Sequence, residues 1–167
     1  FCLKTHLKLK EKIRDIVTII APRHIDRINE INKICLDLNL IPQILSKNEK
    51  IEKNKDIIII NSFGDLNDYF KHAKSVFIGK SNISRLKNEG GQNPIDAANL
   101  GCKIYHGPYV YNFSEIYEIF QQNKISEIIM NPDELAEKIV HDLKSSDKDI
   151  KKYSSIMSRL REQTLNN

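Results

Sequence analysis

Ile57 to Ile60 form an unbroken run of four isoleucines behind Asp56, and this run constrains the fold more than any other feature of the chain. β-branched side chains are stiff at χ1 and fit a pleated surface better than a helix. With no polar residue at alternate positions, the run suits a strand covered on both faces. Shorter runs recur at 17–20 (VTII), 42–45 (PQIL), 75–78 (SVFI), 103–105 (KIY) and 127–130 (EIIM). Strands of this kind separated by helical patterns predict an α/β fold, a Rossmann-like, doubly wound parallel sheet with helices on both faces.

The intervening segments carry helical spacing. Leu3, Leu7 and Ile13 predict a helix from 2 to about 15, and Ile28, Ile31, Ile34 and Cys35 predict one over 26–38. The run Val17–Ile20 is expected to be a buried strand stopped by Ala21-Pro22, and residues 47–55 a surface turn. Further helices are expected over 65–73, 94–100 and 113–121. Asn131-Pro132 supplies an N-cap and a first-turn proline, opening a helix with Leu135, Ile139, Val140 and Leu143 inward. A terminal helix is expected within 148–167, with Ile150, Tyr153, Met157 and Leu160 along one side, sealing this core or packing on another domain. No repeat or linker interrupts the pattern, and 167 residues suit a single domain, 1–167.

Composition narrows the function classes. The net charge of +4 is compatible with an anionic partner, but lysines scattered among Ile and Asn read first as a solvated surface. No basic stripe is interleaved with aromatics as single-strand binding requires, so no nucleic-acid partner is expected. Apolar runs of about four residues fall far short of the roughly 20 a spanning helix needs. Cys2, Cys35 and Cys102 lack CxxC spacing and suggest reduced, intracellular thiols. The histidines form no HxxxH or HExxH pair, so no metal site is expected. The chain starts at Phe1 without a signal-peptide pattern and reads as a piece of a longer protein.

In a doubly wound sheet ligands sit outside the carboxyl ends of the strands, so the loops leaving strands are the ones that matter. Four carry unusual chemistry: Ala21-Pro22-Arg23-His24, Asn61-Ser62-Phe63-Gly64-Asp65, Gly79-Lys80-Ser81, and Gly90-Gly91-Gln92-Asn93-Pro94. Each has an ordinary reading alone. Gly64-Asp65 is a turn followed by a helix-start charge, Lys80 is solvated, Gly-Lys-Ser lacks the upstream glycine of a P-loop, and His24 and His106 are hydrogen-bonded neighbours. Their expected convergence on one edge is what favours function. Glycines ahead of a helix admit backbone N–H groups to a phosphate, and Ala97, Ala98 and Gly101 let that helix pack close beneath it. Asp96 suits two ribose hydroxyls, and Arg23 can fork onto the phosphate. The residues alone therefore predict a nucleotide or nucleotide-sugar half-site.

APRH at 21–24, SFGDL at 62–66, FIGKS at 77–81, GGQNPIDAANLG at 90–101 and GPYVYNF at 107–113 together resemble the C-terminal donor domain of the 3-deoxy-D-manno-octulosonic acid (Kdo) transferases, bacterial glycosyltransferases of the GT-B fold. The resemblance covers nearly the whole chain in the family's order. It implies that the donor CMP-Kdo is held by Pro22, Arg23, Phe63, Gly64, Asp65, Asn93, Pro94, Ile95 and Asp96, with Lys80, Ser81, Gly90, Gly91 and Gln92 as donor-loop residues. It further implies inverting transfer to a lipid A precursor at the cytoplasmic face of the bacterial inner membrane, an anionic surface, with no metal or cofactor. The general base is expected in an N-terminal acceptor domain outside this chain, as is the first donor-domain strand, so the chain alone is expected to bind donor without turning it over. Four departures stand out: Asp96 replaces the usual Glu, Gln92 a common His and Lys80 a usual Gly, and the loop 82–89 is longer.

Two other classes compete. Another GT-B nucleotide-sugar transferase or epimerase would prefer a uridine nucleotide, and a basic nucleic-acid-binding module would show steeply salt-dependent affinity. The number of Kdo units transferred is not readable from this chain.

Overall fold

The computed structural model describes all residues except Phe63, Asp65, 146–152, Ser154 and 160–167. Phe63, Asp65, Ile150 and Leu160, each named above, therefore lie outside the described residues. The chain divides into two compact units, Phe1–Leu66 and Asn67–Asn167. The described strands pair in two three-stranded sheets, one in each unit, and every pairing is parallel. The α/β class with parallel strands and flanking helices is thus as the sequence predicts.

In the first unit, α1 (Cys2–Lys12) precedes β1 (Thr18–Ile20), a 3₁₀ turn over Ile25–Arg27 leads into α2 (Ile28–Asp37), and β2 (Pro42–Ser46) and β3 (Ile57–Asn61) follow. The strand order is β1-β3-β2. The isoleucine run is the central strand, with Ile57, Ile58 and Ile59 all at 0% exposure. Each such side chain contributes roughly 1.5–3 kcal/mol on burial. Ile57 and Ile59 pack with Ile28, Cys35 and Leu40, flanked by Leu3 and Leu7. Pro42 opens an edge strand, a position where its missing N–H is tolerated. Asp56, buried just ahead of β3, accepts from Lys10 Nζ at 2.5 Å and from the Ile41 N–H at 2.8 Å, tying α1 and the approach to β2 onto the sheet.

Three expectations are corrected here. Val17–Ile20 is not a buried strand: β1 lies at the sheet edge, and Val17 and Ile19 are 45% and 39% exposed. A β-branched run reads alike at centre and edge. Second, α1 stops at Lys12, Ile13 is extended, and its inward face is Thr5, His6 and Leu9, with Leu3 and Leu7 on the flank. Two polar side chains disguise that face; Thr5 bonds the Phe1 carbonyl and His6 Nδ1 pairs with Thr18 Oγ1 at 2.9 Å. Third, α2 begins at Ile28 rather than at 26, and at about 100° per residue Ile34 falls off the face shared by Ile28, Ile31 and Cys35 and is exposed.

After α3 (Leu66–His72), which opens at the division between the units, the second unit runs β4 (Ser75–Ile78), a 3₁₀ turn at Ser84–Leu86, α4 (Ile95–Asn99), β5 (Lys103–His106), a 3₁₀ turn at Tyr111–Phe113, α5 (Ser114–Gln122), β6 (Ser126–Ile128) and α6 (Pro132–Lys144). Its order is β4-β5-β6, so β5 is central. The core joins Ile78, Ala97, Ala98, Ile104, Tyr117 and Phe120 with Tyr153 and Met157. Tyr153 and Met157 thus seal this unit's own core. Asn131 caps α6 as predicted, its Oδ1 accepting the Glu134 N–H at 2.9 Å while Glu134 Oε2 accepts the Met130 N–H. Asp142 fastens α6 to the sheet, accepting from Ser75 Oγ and Tyr105 OH at 2.6 and 2.8 Å. Leu143, expected inward, is exposed in the final turn, and β6 spans 126–128 rather than 127–130, with Ile128 and Met130 exposed.

Candidate functional site

Parallel pairing fixes which loops share an edge. In the first unit Ile20 stands opposite Ile59, so Pro22 and Arg23, leaving β1, and Gly64, following β3, emerge at the same carboxyl edge. Pro22 is half-buried and Arg23 exposed. Gly64 has φ +93°, a backbone that L side chains rarely adopt, with open space where a Cβ would stand.

The second unit shows its edge in more detail. Ile78 stands opposite His106, so Gly79-Lys80-Ser81 and Gly107-Pro108 leave adjacent strands side by side. Ser81 locks them: buried, its hydroxyl donates to the Ile78 carbonyl at 2.5 Å and accepts the Gly107 N–H at 2.8 Å. The Ser81 carbonyl takes the Tyr109 N–H at 2.8 Å. Gly107 is obligatory, because a Cβ there would meet Ser81 O at 2.3 Å. Gly90 is held the same way, its would-be Cβ lying 2.3 Å from Tyr109 O. Asn112 Nδ2 donates to the Glu89 carbonyl and Tyr117 OH to the Gln92 carbonyl at 3.0 Å. The loop before α4 is therefore sewn near both its ends to residues 107–117.

This interlock gives several predicted donor-loop residues contacts within the fold. Gly90 and Gly91 are buried against Tyr109 and Val110, so their small size is needed for backbone packing. The Ser81 hydroxyl is engaged inside the fold. Lys80 keeps a left-handed backbone, φ +65°, and pairs with Glu89 at 3.4 Å. Beyond the sewn segment, Asn93 Oδ1 accepts the Ile95 N–H at 2.9 Å, turning the chain into α4. Pro94 is its N-cap, and Asp96 lies exposed in its first turn, one position nearer the helix start than expected because α4 begins at Ile95.

His106 anchors the edge from beneath. It is fully buried, with Nδ1 2.7 Å from the Gly107 carbonyl, Nε2 3.4 Å from Gln121 Nε2, and its ring 4.3 Å from that of Tyr117. Burial pushes its pKa down, against a smaller upward pull from the Gly107 carbonyl. The sequence reading of His106 as a hydrogen-bonded neighbour matches this placement. Glu89, Tyr109, Asn112 and Tyr117 were not legible as partners of the glycine loop. The Gly-Pro pair at 107–108 was the one local signal, and it does not name its contact. Among the described residues, no group of three or more His, Cys, Asp or Glu could hold a metal ion, and no helix is long and apolar enough to cross a membrane.

No protein-family profile matches the chain. Over 138 residues it is 30% identical to the 3-deoxy-D-manno-octulosonic acid transferase of Rickettsia conorii, which covers 83% of this chain but 29% of that protein. The corresponding Aquifex aeolicus transferase is 25% identical over 149 residues, 89% of this chain and 39% of its own length. The chain thus spans well under half the length of these curated relatives. Among solved structures, the C-terminal CMP-Kdo binding domain of WaaA from Acinetobacter baumannii shares the fold with a TM-score of 0.78, at 21% identity, over 93% of this chain and 80% of that one.

Proposed function

The chain is a relative of the 3-deoxy-D-manno-octulosonic acid transferases along four-fifths of its length, and on that premise we propose that it is the CMP-Kdo-binding part of such a transferase, the C-terminal half of a GT-B enzyme. The observation that carries this reading is the sequence relationship to the Rickettsia and Aquifex enzymes over 83% and 89% of the chain, joined to a fold shared with a CMP-Kdo binding domain. The loops that hold the proposed contacts, Pro22, Arg23 and Gly64 in one unit and Asn93, Pro94, Ile95 and Asp96 in the other, leave the carboxyl edges of parallel strands or open a helix beside one. Phe63 and Asp65 complete the proposed set.

In the proposed reaction a hydroxyl of the lipid A precursor attacks the anomeric carbon of Kdo. A new C–O bond forms, the bond from that carbon to the phosphate oxygen breaks, and CMP leaves with the electron pair. The acceptor's proton passes to a carboxylate base in the longer protein's acceptor domain, so this chain alone binds donor without transferring it. The role proposed for Arg23 is to fork onto the phosphate and stabilise charge growing on the departing CMP. Asp96 is proposed to accept from the ribose hydroxyls. No metal or cofactor enters this scheme, and the acceptor is proposed to be met at the anionic cytoplasmic face of the inner membrane. The reading also includes a strand of the longer protein, preceding α1, laid along the outer edge of β1.

Calorimetric titration of CMP tests the assignment. Arg23→Ala is expected to weaken binding roughly tenfold or more, the loss of one charge-assisted contact. Asp96→Ala is expected to weaken CMP more than a 2′,3′-dideoxy analogue. Unchanged affinity in both variants would refute the site. Tighter binding of UMP than CMP by the unmodified chain would favour a different nucleotide-sugar enzyme.

A further inference from the structure

The donor-binding reading counts Lys80, at the carboxyl edge of β4 and β5, among the donor-loop residues without giving its side chain a task. Its backbone is left-handed, φ +65°, although lysine gains nothing from that conformation and glycine would adopt it freely. Such a residue persists when its surroundings over-determine it. Here they do: next to it, Ser81 is bonded through its hydroxyl to Ile78 and Gly107 and through its carbonyl to Tyr109, so the Lys80 stem springs from a rigid point. The Lys80 side chain is 31% exposed, and its ammonium meets Glu89 Oε2 at 3.4 Å. Glu89 is 71% exposed, and its residue is pinned by its own carbonyl, which accepts from Asn112 Nδ2. A cation on an anchored stem thus faces a water-exposed, loosely paired carboxylate that another oxyanion can displace.

Resting on the donor-binding reading, we propose that Lys80 is an anion-receiving residue of that site and that Glu89 is the internal anion it exchanges for an oxyanion of the donor, the phosphate or the sugar carboxylate. The left-handed backbone sets the direction in which the stem leaves the loop, and Glu89 compensates the ammonium's charge until the ligand takes over. This sets the donor's affinity below what Lys80 alone would give, and it makes Glu89 a specificity element: a neutral ligand does not repay the broken pair.

The test titrates the whole chain and its Lys80→Gln, Lys80→Gly, Glu89→Gln and Lys80→Gln/Glu89→Gln variants with cytidine, CMP and CMP-Kdo. Lys80→Gln and Lys80→Gly are expected to lose roughly tenfold in affinity for the oxyanion-bearing ligand while cytidine is unaffected. Glu89→Gln is expected to gain roughly two- to fivefold, the worth of an exposed pair, and the gain should vanish in the double variant. Lys80→Gly should also raise the thermal midpoint while lowering affinity, a split that a structural brace would not produce. A loss first seen with CMP identifies the phosphate, and one confined to CMP-Kdo identifies the carboxylate. Equal binding of CMP and CMP-Kdo by all variants overturns the exchange while donor binding stands. Weaker binding in Glu89→Gln as well as in the lysine variants overturns it in favour of a brace. If the unmodified chain binds neither CMP nor CMP-Kdo, both readings fall.

Discussion

Three buried ionisable side chains make stability pH-dependent, and their signs follow from their surroundings. Burial drives the His106 pKa down, with the Gly107 carbonyl opposing, and drives His6 down likewise, with Asp56 opposing and Lys10 assisting. Both are neutral in the fold. As pH falls through about 6.5, the ordinary imidazole value, the unfolded chain takes up protons that the folded chain refuses, and stability declines. The urea midpoint should fall over this range, and His106→Gln should flatten part of the slope. Asp56 behaves oppositely in origin: burial pushes its carboxyl up, but the Lys10 ammonium and the Ile41 N–H outweigh it and hold the pKa below the ordinary range. Its contribution is present above about pH 4 and is lost as pH falls through the lower folded value. Asp56→Asn should lower the midpoint at neutral pH and remove that acid step. Neither histidine was legible as buried, because a His among lysines or beside Gly-Pro carries no local mark of its depth.

At the scale of elements, what the sequence announces and what it hides divide along local and non-local contacts. The Asn131-Pro132 start of α6 was legible because a cap is a four-residue event, and Asn131→Ala should cost about 1 kcal/mol in chemical denaturation. The interlock of the 79–92 loop with 107–117 was not legible, because its partners lie 25 or so residues apart. It should be steeper to perturb. Gly107→Ala and Gly90→Ala each press a methyl into backbone and should lose about 1–3 kcal/mol. Ser81→Ala leaves the Gly107 N–H buried without its acceptor and should lose about as much. Near-normal stability in the two glycine variants would mean that the approach of 107–109 to this loop is not as close as described.

For the whole molecule, the isoleucine run marked a strand covered on both faces, and its recurrence in shorter runs between helical patterns pointed to a parallel sheet. Hydrophobic spacing likewise fixed the order of strands and helices to within a few residues at their ends. Which strands stand at the edges was decided only in three dimensions. VTII and IIII are chemically alike, yet β3 is central and buried while β1 is peripheral with Val17 and Ile19 exposed. A longer form of the protein that supplies the proposed strand beside β1 should slow amide exchange at 18–20 and raise the thermal midpoint; unchanged exchange would refute that strand. The glycines at 90 and 91 were conspicuous in the sequence, but their packing partners came from the tertiary structure. A missing Cβ is equally useful to a phosphate and to a neighbouring backbone, and only the tertiary structure brings Tyr109 and Val110 close enough to require it for packing.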